Sequence, residues 1–247
     1  MSTTQTISID LNLIEYIKTL EMQKQIVSDM INGNVKHDTI LILEHYPVFT
    51  LGKRGGRENL IVSEEFLKSK DIAVIQTERG GNITYHGQGQ VVIYPIVNLE
   101  KRRLGVSDFV CALEKTMIRT GSDFGVAAVT DPKNNGVWVK SNQTNQIKSN
   151  NQKTQFDNQI DIKCSNINRD IYSYSKLGSV GLSIKRGVSF HGLALNANLD
   201  LTPFSWINPC GMADIAMTSL ENEIKQHIEI KQVKEKLLYH FREITGI

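Results

Sequence analysis

The chain has 247 residues, with 28 Lys+Arg against 26 Asp+Glu, a net charge of +2. Hydrophobic residues make up 40% and charged residues 22%, ordinary usage for a folded soluble domain, so disorder throughout is excluded and a core needs no covalent staples. So small a charge gives no broad basic field for nucleic acid, and no apolar run is long enough to span a membrane.

The opening Met1–Gln5 carries neither a basic region nor an apolar one, so no secretory signal is expected and the cytoplasm is the expected location. The cysteines are Cys111, Cys164 and Cys210, an odd and sparse set that argues for a reducing compartment and against a disulfide framework. No Cys-x-x-Cys or His-x-x-x-His spacing occurs, so no metal site is expected.

Leu13, Ile14, Ile17, Leu20, Val27, Met30 and Ile31 recur near helical spacing, which predicts an amphipathic helix ending near Gly33. Thr39–Leu43 reads as a buried strand. Ser63 caps a short helix that opens with Glu64 and Glu65. Strands follow at Ile72–Thr77 and Gln90–Val97, around a glycine-rich segment. Ser107 is expected to cap a helix running to about Gly121, with Phe109, Val110, Leu113, Met117 and Ile118 inward. Further strands are expected at Val126–Val129, Gly136–Lys140, Lys176–Ile184 and Val188–Asn196, and a helix over Glu221–Glu243. Mixed elements with adjacent strand pairs predict an α+β domain, a mixed sheet flanked by helices. Between Asn142 and Gln159, ten of eighteen residues are Asn or Gln, too polar to bury much. That segment reads as a mobile hairpin loop or as a substrate lid.

Several clusters carry possible chemistry. Arg79-Gly80-Gly81-Asn82-Ile83-Thr84-Tyr85-His86-Gly87-Gln88-Gly89-Gln90 is either a polar turn or a loop whose glycines let the backbone approach a ligand. It is neither a Walker loop nor a dinucleotide fingerprint. Gly52-Lys53-Arg54-Gly55-Gly56-Arg57 is either a solvated loop or an anion cradle. Cys210, in Asn208-Pro209-Cys210-Gly211, is either a packed thiol or a nucleophile presented on a tight turn. Cys111 sits in an apolar helix and reads as core. Lys176 heads an apolar, glycine-punctuated strand, as a snorkelling surface lysine or as a partly buried amine usable as a base. A thiol also needs a nearby base or cation to react at neutral pH, for which Lys176, His86 and His191 are candidates, although His191, at a strand end, reads first as a structurally hydrogen-bonded histidine.

Taken together, the clusters are similar to a known family. Leu43-Glu-His-Tyr-Pro-Val-Phe-Thr-Leu-Gly52, the Arg79–Gly87 run, Lys176-Leu-Gly-Ser-Val-Gly181, Arg186-Gly-Val-Ser-Phe-His-Gly-Leu-Ala-Leu-Asn196 and Asn208-Pro-Cys-Gly211 resemble, in order and spacing, the lipoyl(octanoyl) transferases. The match runs from about Leu11 to Leu220. Two departures stand out: Gln88 where the family usually has proline, and an insertion at 141–175 where it has a short turn.

The resemblance implies one catalytic domain over residues 1–247, folded like lipoate ligases and biotin protein ligases. It implies octanoyl transfer from octanoyl-acyl carrier protein to a lysine of lipoyl domains, those of 2-oxoacid dehydrogenase complexes and the glycine cleavage H protein, without a cofactor. Cys210 would form the acyl thioester, and Lys176 would help the cysteine lose its proton and move protons. Arg79, Gly80, Gly81, Asn82, Ile83, Thr84, Tyr85 and His86 would line the acyl substrate, with Ser179, Val180 and Gly181 as a second binding strand and Gly192, Leu193 and Ala194 as a third. A thioester donor is already activated, and a covalent intermediate implies ping-pong kinetics. Backbone amides of the glycine loop or beside Cys210 are candidates for an oxyanion hole. An ATP-dependent lipoate or biotin ligase, or a non-catalytic acyl- or protein-binding module, are the competing readings.

Overall fold

The computed structural model describes residues 5–140, 174–209 and 215–247. In chain order these form β1 (Thr6–Ile14), α1 (Tyr16–Ile31), β2 (Asp38–His45), β3 (Val48–Leu51), a 3-10 turn (Arg57–Asn59), α2 (Glu64–Ser69), β4 (Ala73–Gln76), β5 (Ile83–His86) and β6 (Gln90–Ile96). Next come α3 (Leu99–Arg102), α4 (Val106–Asp123), β7 (Ala128–Asp131), β8 (Asn134–Lys140), β9 (Tyr174–Lys185) and β10 (Val188–Asn196). A second 3-10 turn (Thr202–Trp206), β11 (Ala216–Met217), α5 (Leu220–Ile224) and α6 (Ile230–Thr245) close the chain.

The main sheet runs β1-β2-β6-β10-β9-β8-β7, with β11 added beside β9, and a small sheet runs β4-β3-β5. The β1–β2 and β9–β11 pairings are parallel and the rest of the main sheet is antiparallel, which makes it mixed, as expected. β2 shows why its sequence is an unbroken apolar run. Ile40 and Ile42 face Phe109, Leu113 and Met117 of α4 and Val233, Leu237 and Phe241 of α6. Leu41 and Leu43 face the opposite way, with Val27 and Met30 of α1. A strand covered on both faces has no polar alternation to keep. Each such Leu or Phe contributes about 1.5–3 kcal/mol by leaving water. The small sheet has its own core around Phe49, Leu51, Leu67, Ile83, Tyr85 and Phe204.

Several expected boundaries change. Leu13 and Ile14 belong to β1, where Leu13 pairs with Glu44 and Ile14 with His45, so the helix starts at Tyr16. The glycine-rich segment contains a strand, β5, paired antiparallel with β3. Ser63 caps α2 as expected, accepting the Phe66 N–H at 3.2 Å. Ser107 does not cap α4. The N-cap is Gly105, and the first turn carries Asp108, whose charge suits the helix N-terminus without a capping hydroxyl. The closing helix is two helices, because Lys225 adopts a left-handed conformation at φ 57° and ends α5. Among the described residues, no helix is long and apolar enough to cross a membrane. The Asn/Gln-rich 142–159 segment, read as loop or lid, lies outside the described residues, as does all of the expected 141–175 insertion except Tyr174 and Ser175, which open β9.

Candidate active site

The two glycine clusters are zipped together by their backbones. Gly52 N–H donates to the Asn82 carbonyl (3.1 Å), Lys53 N–H to Arg79 (2.9 Å) and Arg54 N–H to Gly81 (3.1 Å). Arg79 is buried and acts as a strut for the small sheet. Its Nη2 donates to the Thr50 carbonyl at 2.6 Å, its Nε to Thr50 Oγ1 at 3.1 Å and its Nη1 to the Gly80 carbonyl at 3.0 Å. Gly80 N–H donates to the Leu182 carbonyl of β9 at 2.8 Å, which stitches the small sheet to the large one. That amide is therefore engaged and not free for an oxyanion.

A cavity of about 780 Å³ lies where the two sheets meet, within the range of small-molecule sites. Arg79, Gly80, Gly81, Asn82, Ile83, Thr84 and His86 line one side. Ser179, Val180 and Gly181 of β9 and Gly192, Leu193 and Ala194 of β10 line another. These two triplets are cross-strand neighbours, with Gly181 opposite Gly192, Val180 opposite Leu193 and Ser179 opposite Ala194. Lys176 completes the set. Tyr85 is the exception among the described candidates. Strand alternation turns it away from Thr84 and His86, and its ring packs against Phe49 (5.3 Å) and Phe204 (5.6 Å) in the small-sheet core. Cys210 lies outside the described residues.

Lys176 is only 2% exposed although lysine is seldom buried. Its strand neighbours are Trp138 of β8 and Met217 of β11. Its Nζ donates to the Asn135 carbonyl at 3.0 Å and lies 4.9 Å from the Trp138 ring centroid, a cation–π distance. On α4, Glu114 accepts the Gly136 N–H at 2.8 Å. Burial pushes the Glu114 carboxyl up from its ordinary value, against the opposing pull of the Gly136 N–H and the Lys176 charge.

Tyr16, Tyr94, Val106, Val110, Leu182 and His191 form more of the wall. Tyr16, His45, His86, Tyr94 and His191 form one buried aromatic cluster. Tyr16 stacks on His86 at 5.7 Å and lies 5.0 Å from His45. His45 Nε2 is 2.8 Å from the Tyr94 hydroxyl, and His86 Nδ1 is 2.6 Å from Gln90 Oε1. His191 was expected to be structurally hydrogen-bonded, and its backbone N–H does donate to Gln23 Oε1 at 2.7 Å. Its ring nevertheless reaches the cavity wall, Nδ1 lies 3.5 Å from the Tyr16 hydroxyl, and Nε2 has no partner among the described residues. Burial holds His45 down at about 4, and burial reinforced by the Arg79 charge holds His191 down at about 3. Burial, then the neighbouring His45 and Arg79, keeps His86 well below its ordinary value. Burial pushes Tyr16 up to about 12. The whole cluster is therefore uncharged at neutral pH, a polar but neutral surface for an uncharged ligand.

Cations also reach the cavity: Lys53, Arg54 and Lys133 line it. Arg57, the third cation of its cluster, pairs with Glu64 instead. Among the described residues no group of His, Cys, Asp or Glu side chains could hold a metal ion.

The family described as the lipoyl protein ligase A/B catalytic domain matches residues 15–242. The chain is 41% identical over 238 residues to an octanoyltransferase from Desulfotalea psychrophila, covering 96% of this chain and 93% of the relative. It is 36% identical over 235 residues to an octanoyltransferase from Caldicellulosiruptor bescii, covering 94% and 88%. Among solved structures, the bi-partite lipoate protein ligase from Thermoplasma acidophilum superposes with a TM-score of 0.63 at 12% identity, over 99% of this chain and 85% of that one. At that identity the likeness concerns the fold alone, and it agrees with the mixed sheet flanked by helices. Near-full-length kinship with curated octanoyltransferases carries more, and by it the chain belongs to the lipoyl protein ligase A/B catalytic-domain family as an acyltransferase of the octanoyltransferase group.

Proposed function

We propose that residues 1–247 act as one catalytic domain in the cytoplasm. The domain moves an octanoyl group from octanoyl-acyl carrier protein to a lysine of lipoyl domains, in 2-oxoacid dehydrogenase complexes and the glycine cleavage H protein. The observation that carries the reading is the buried Lys176 amine in the wall of a cavity that the uncharged Tyr16, His86, Tyr94 and His191 also line, in a chain 41% identical to an octanoyltransferase. The archaeal ligase with the same fold is described with its E2 lipoyl domain as one lipoylation system, which supports a lipoyl domain as acceptor.

In this reading the Cys210 thiolate attacks the carrier thioester carbonyl. A new C–S bond forms to Cys210, the carrier C–S bond breaks, and the carrier sulfur leaves with a proton. The acceptor lysine nitrogen then attacks the Cys210 thioester, an amide forms, and Cys210 regains its proton. An acceptor amine is almost wholly protonated at neutral pH, so a base must take its proton first. Lys176 is the group we assign to these transfers. β11, which begins two residues after the 210–214 segment, pairs its Met217 with Lys176, in support of cysteine and lysine working together. Arg79, Gly80, Gly81, Asn82, Ile83, Thr84 and His86, with Ser179–Gly181 and Gly192–Ala194, hold the acyl chain. Each methylene accommodated there contributes about 0.8 kcal/mol to chain-length choice.

The test is mass spectrometry after exposure to octanoyl-carrier protein. The protein should gain one octanoyl group, hand it to a lipoyl domain, and do neither as Cys210→Ser, because a serine hydroxyl is too weakly acidic for the same activation. Transfer by the folded serine variant would refute the thioester, and modification that needs ATP and free octanoate would establish a ligase instead.

A further inference from the structure

Glu114 is a buried acid that the chemistry above does not use. It stands on α4 one and two turns beyond Val110 and Val106, both of which line the cavity. An acid on the inward stripe of a helix is costly unless its oxygens are engaged. One of them is, since Oε1 accepts the Gly136 N–H at 2.8 Å.

The partner on the far side of that peptide is the lysine. The Gly136 N–H and the Asn135 carbonyl belong to one planar trans unit, so Glu114 grips one edge while Lys176 Nζ donates to the other at 3.0 Å. A carboxylate on the N–H polarises the amide and strengthens its carbonyl as an acceptor. The local backbone is shaped for this contact. Gly136 has φ +121°, and a Cβ there would lie 2.8 Å from Lys176 Cε and 2.4 Å from the Gly178 carbonyl oxygen. The β8–β9 register shifts between Val137 and Trp138, placing an irregularity beside Lys176. Such irregularities re-aim side chains next to active sites.

We propose that Glu114 is the positioning residue of the site: it clamps the Asn135–Gly136 peptide and thereby aims the Lys176 amine into the cavity. The inference rests on the reading of Lys176 as the proton-handling amine of octanoyl transfer.

Two variants separate the clamp from simple packing. Glu114→Met keeps volume and removes the acceptor; Glu114→Gln keeps an acceptor oxygen for the Gly136 N–H. The assay follows single-turnover release of the octanoyl adduct to a lipoyl domain, with the KM for that domain and the thermal midpoint. Misplacing a catalytic group by an ångström costs about 100-fold, so Glu114→Met should slow the transfer step by that order with KM unchanged, and Glu114→Gln should restore most of it. Wild-type transfer rates in Glu114→Met, or equal damage in a folded Glu114→Gln, would overturn the clamp. Should Glu114→Met not unfold cooperatively, Glu114→Asp takes its place, because its withdrawn carboxylate falls short of the amide, and undiminished transfer by that variant would also overturn it. Failure of the wild-type protein to form an adduct would count against octanoyl transfer itself, a result distinct from any of these.

Discussion

Moving the protein from pH 7 to pH 5 protonates histidines in the unfolded chain but not those in the buried aromatic cluster. His45 is held at about 4 and His191 at about 3, against about 6.5 when unfolded. The sign follows from proton counting. Between pH 6.5 and 4 the unfolded state binds more protons than the folded one, so stability rises with pH and is lost on acidification through that window. Over the interval from 7 to 5, linkage gives about 2 kcal/mol for each of the two residues, about 4 kcal/mol together. His86, also held well below its ordinary value, adds in the same direction. Against a domain stability of about 5–15 kcal/mol, that is a large share. Urea midpoints at the two pH values measure the loss, and the imidazole proton resonances report each ring. Equal midpoints, or His45 and His191 rings that titrate near 6.5, would refute the account of a neutral, desolvated cluster.

Lys176→Arg should damage octanoyl transfer nearly as much as Lys176→Ala, because arginine keeps the charge but has no accessible deprotonated form. Substantial turnover by the arginine variant would mean that Lys176 contributes charge alone. Replacing residues 142–172 with a short glycine-serine turn should leave the domain folded, since Lys140 already pairs with Tyr174 across the β8–β9 hairpin. Closing the shorter loop changes the entropy by only about a kilocalorie, so the thermal midpoint should hold or rise slightly, Cys164 being dispensable with the segment, and loss of cooperative unfolding would contradict this.

Elements whose signals agreed were legible. Val188–Asn196 has the expected ends because a short run rich in apolar residues starts at the Arg186-Gly187 turn, where both residues take positive φ. Thr39–Leu43 was recognisable for the same reason. β1 was hidden by competition: Ile7, Ile9, Leu11 and Leu13 alternate cleanly, yet Leu13 and Ile14 also continue the helical spacing of α1. β5 was masked by the glycines around it, which suggest turns while the strand itself is only four residues long. Within the site, glycines and charged residues advertised one wall of the cavity. The opposite wall comes from Tyr16, Tyr94, Val106 and Val110, which look like core residues until the two sheets meet. Tyr85 misled because its loop neighbours line the cavity while alternation sends its own ring elsewhere. Glu114 did leave a trace, an acid at a position in register with Val110, Leu113 and Met117.

The seam between the two sheets has a consequence for how this cavity tolerates sequence drift. Where Gly80 meets β9, both walls are bare main chain: a Cβ at Gly80 would come 3.3 Å from the Leu182 carbonyl oxygen, and one at Gly181 would come 3.1 Å from the Gly80 carbonyl oxygen. Glycine is already the smallest residue, so replacement at this seam can narrow the slot but never widen it. A relative that evolves toward a bulkier ligand must therefore open the cavity through lining side chains such as Tyr16, Val106, Val110 or Leu193, while the glycine seam stays fixed as the gauge of the slot's width.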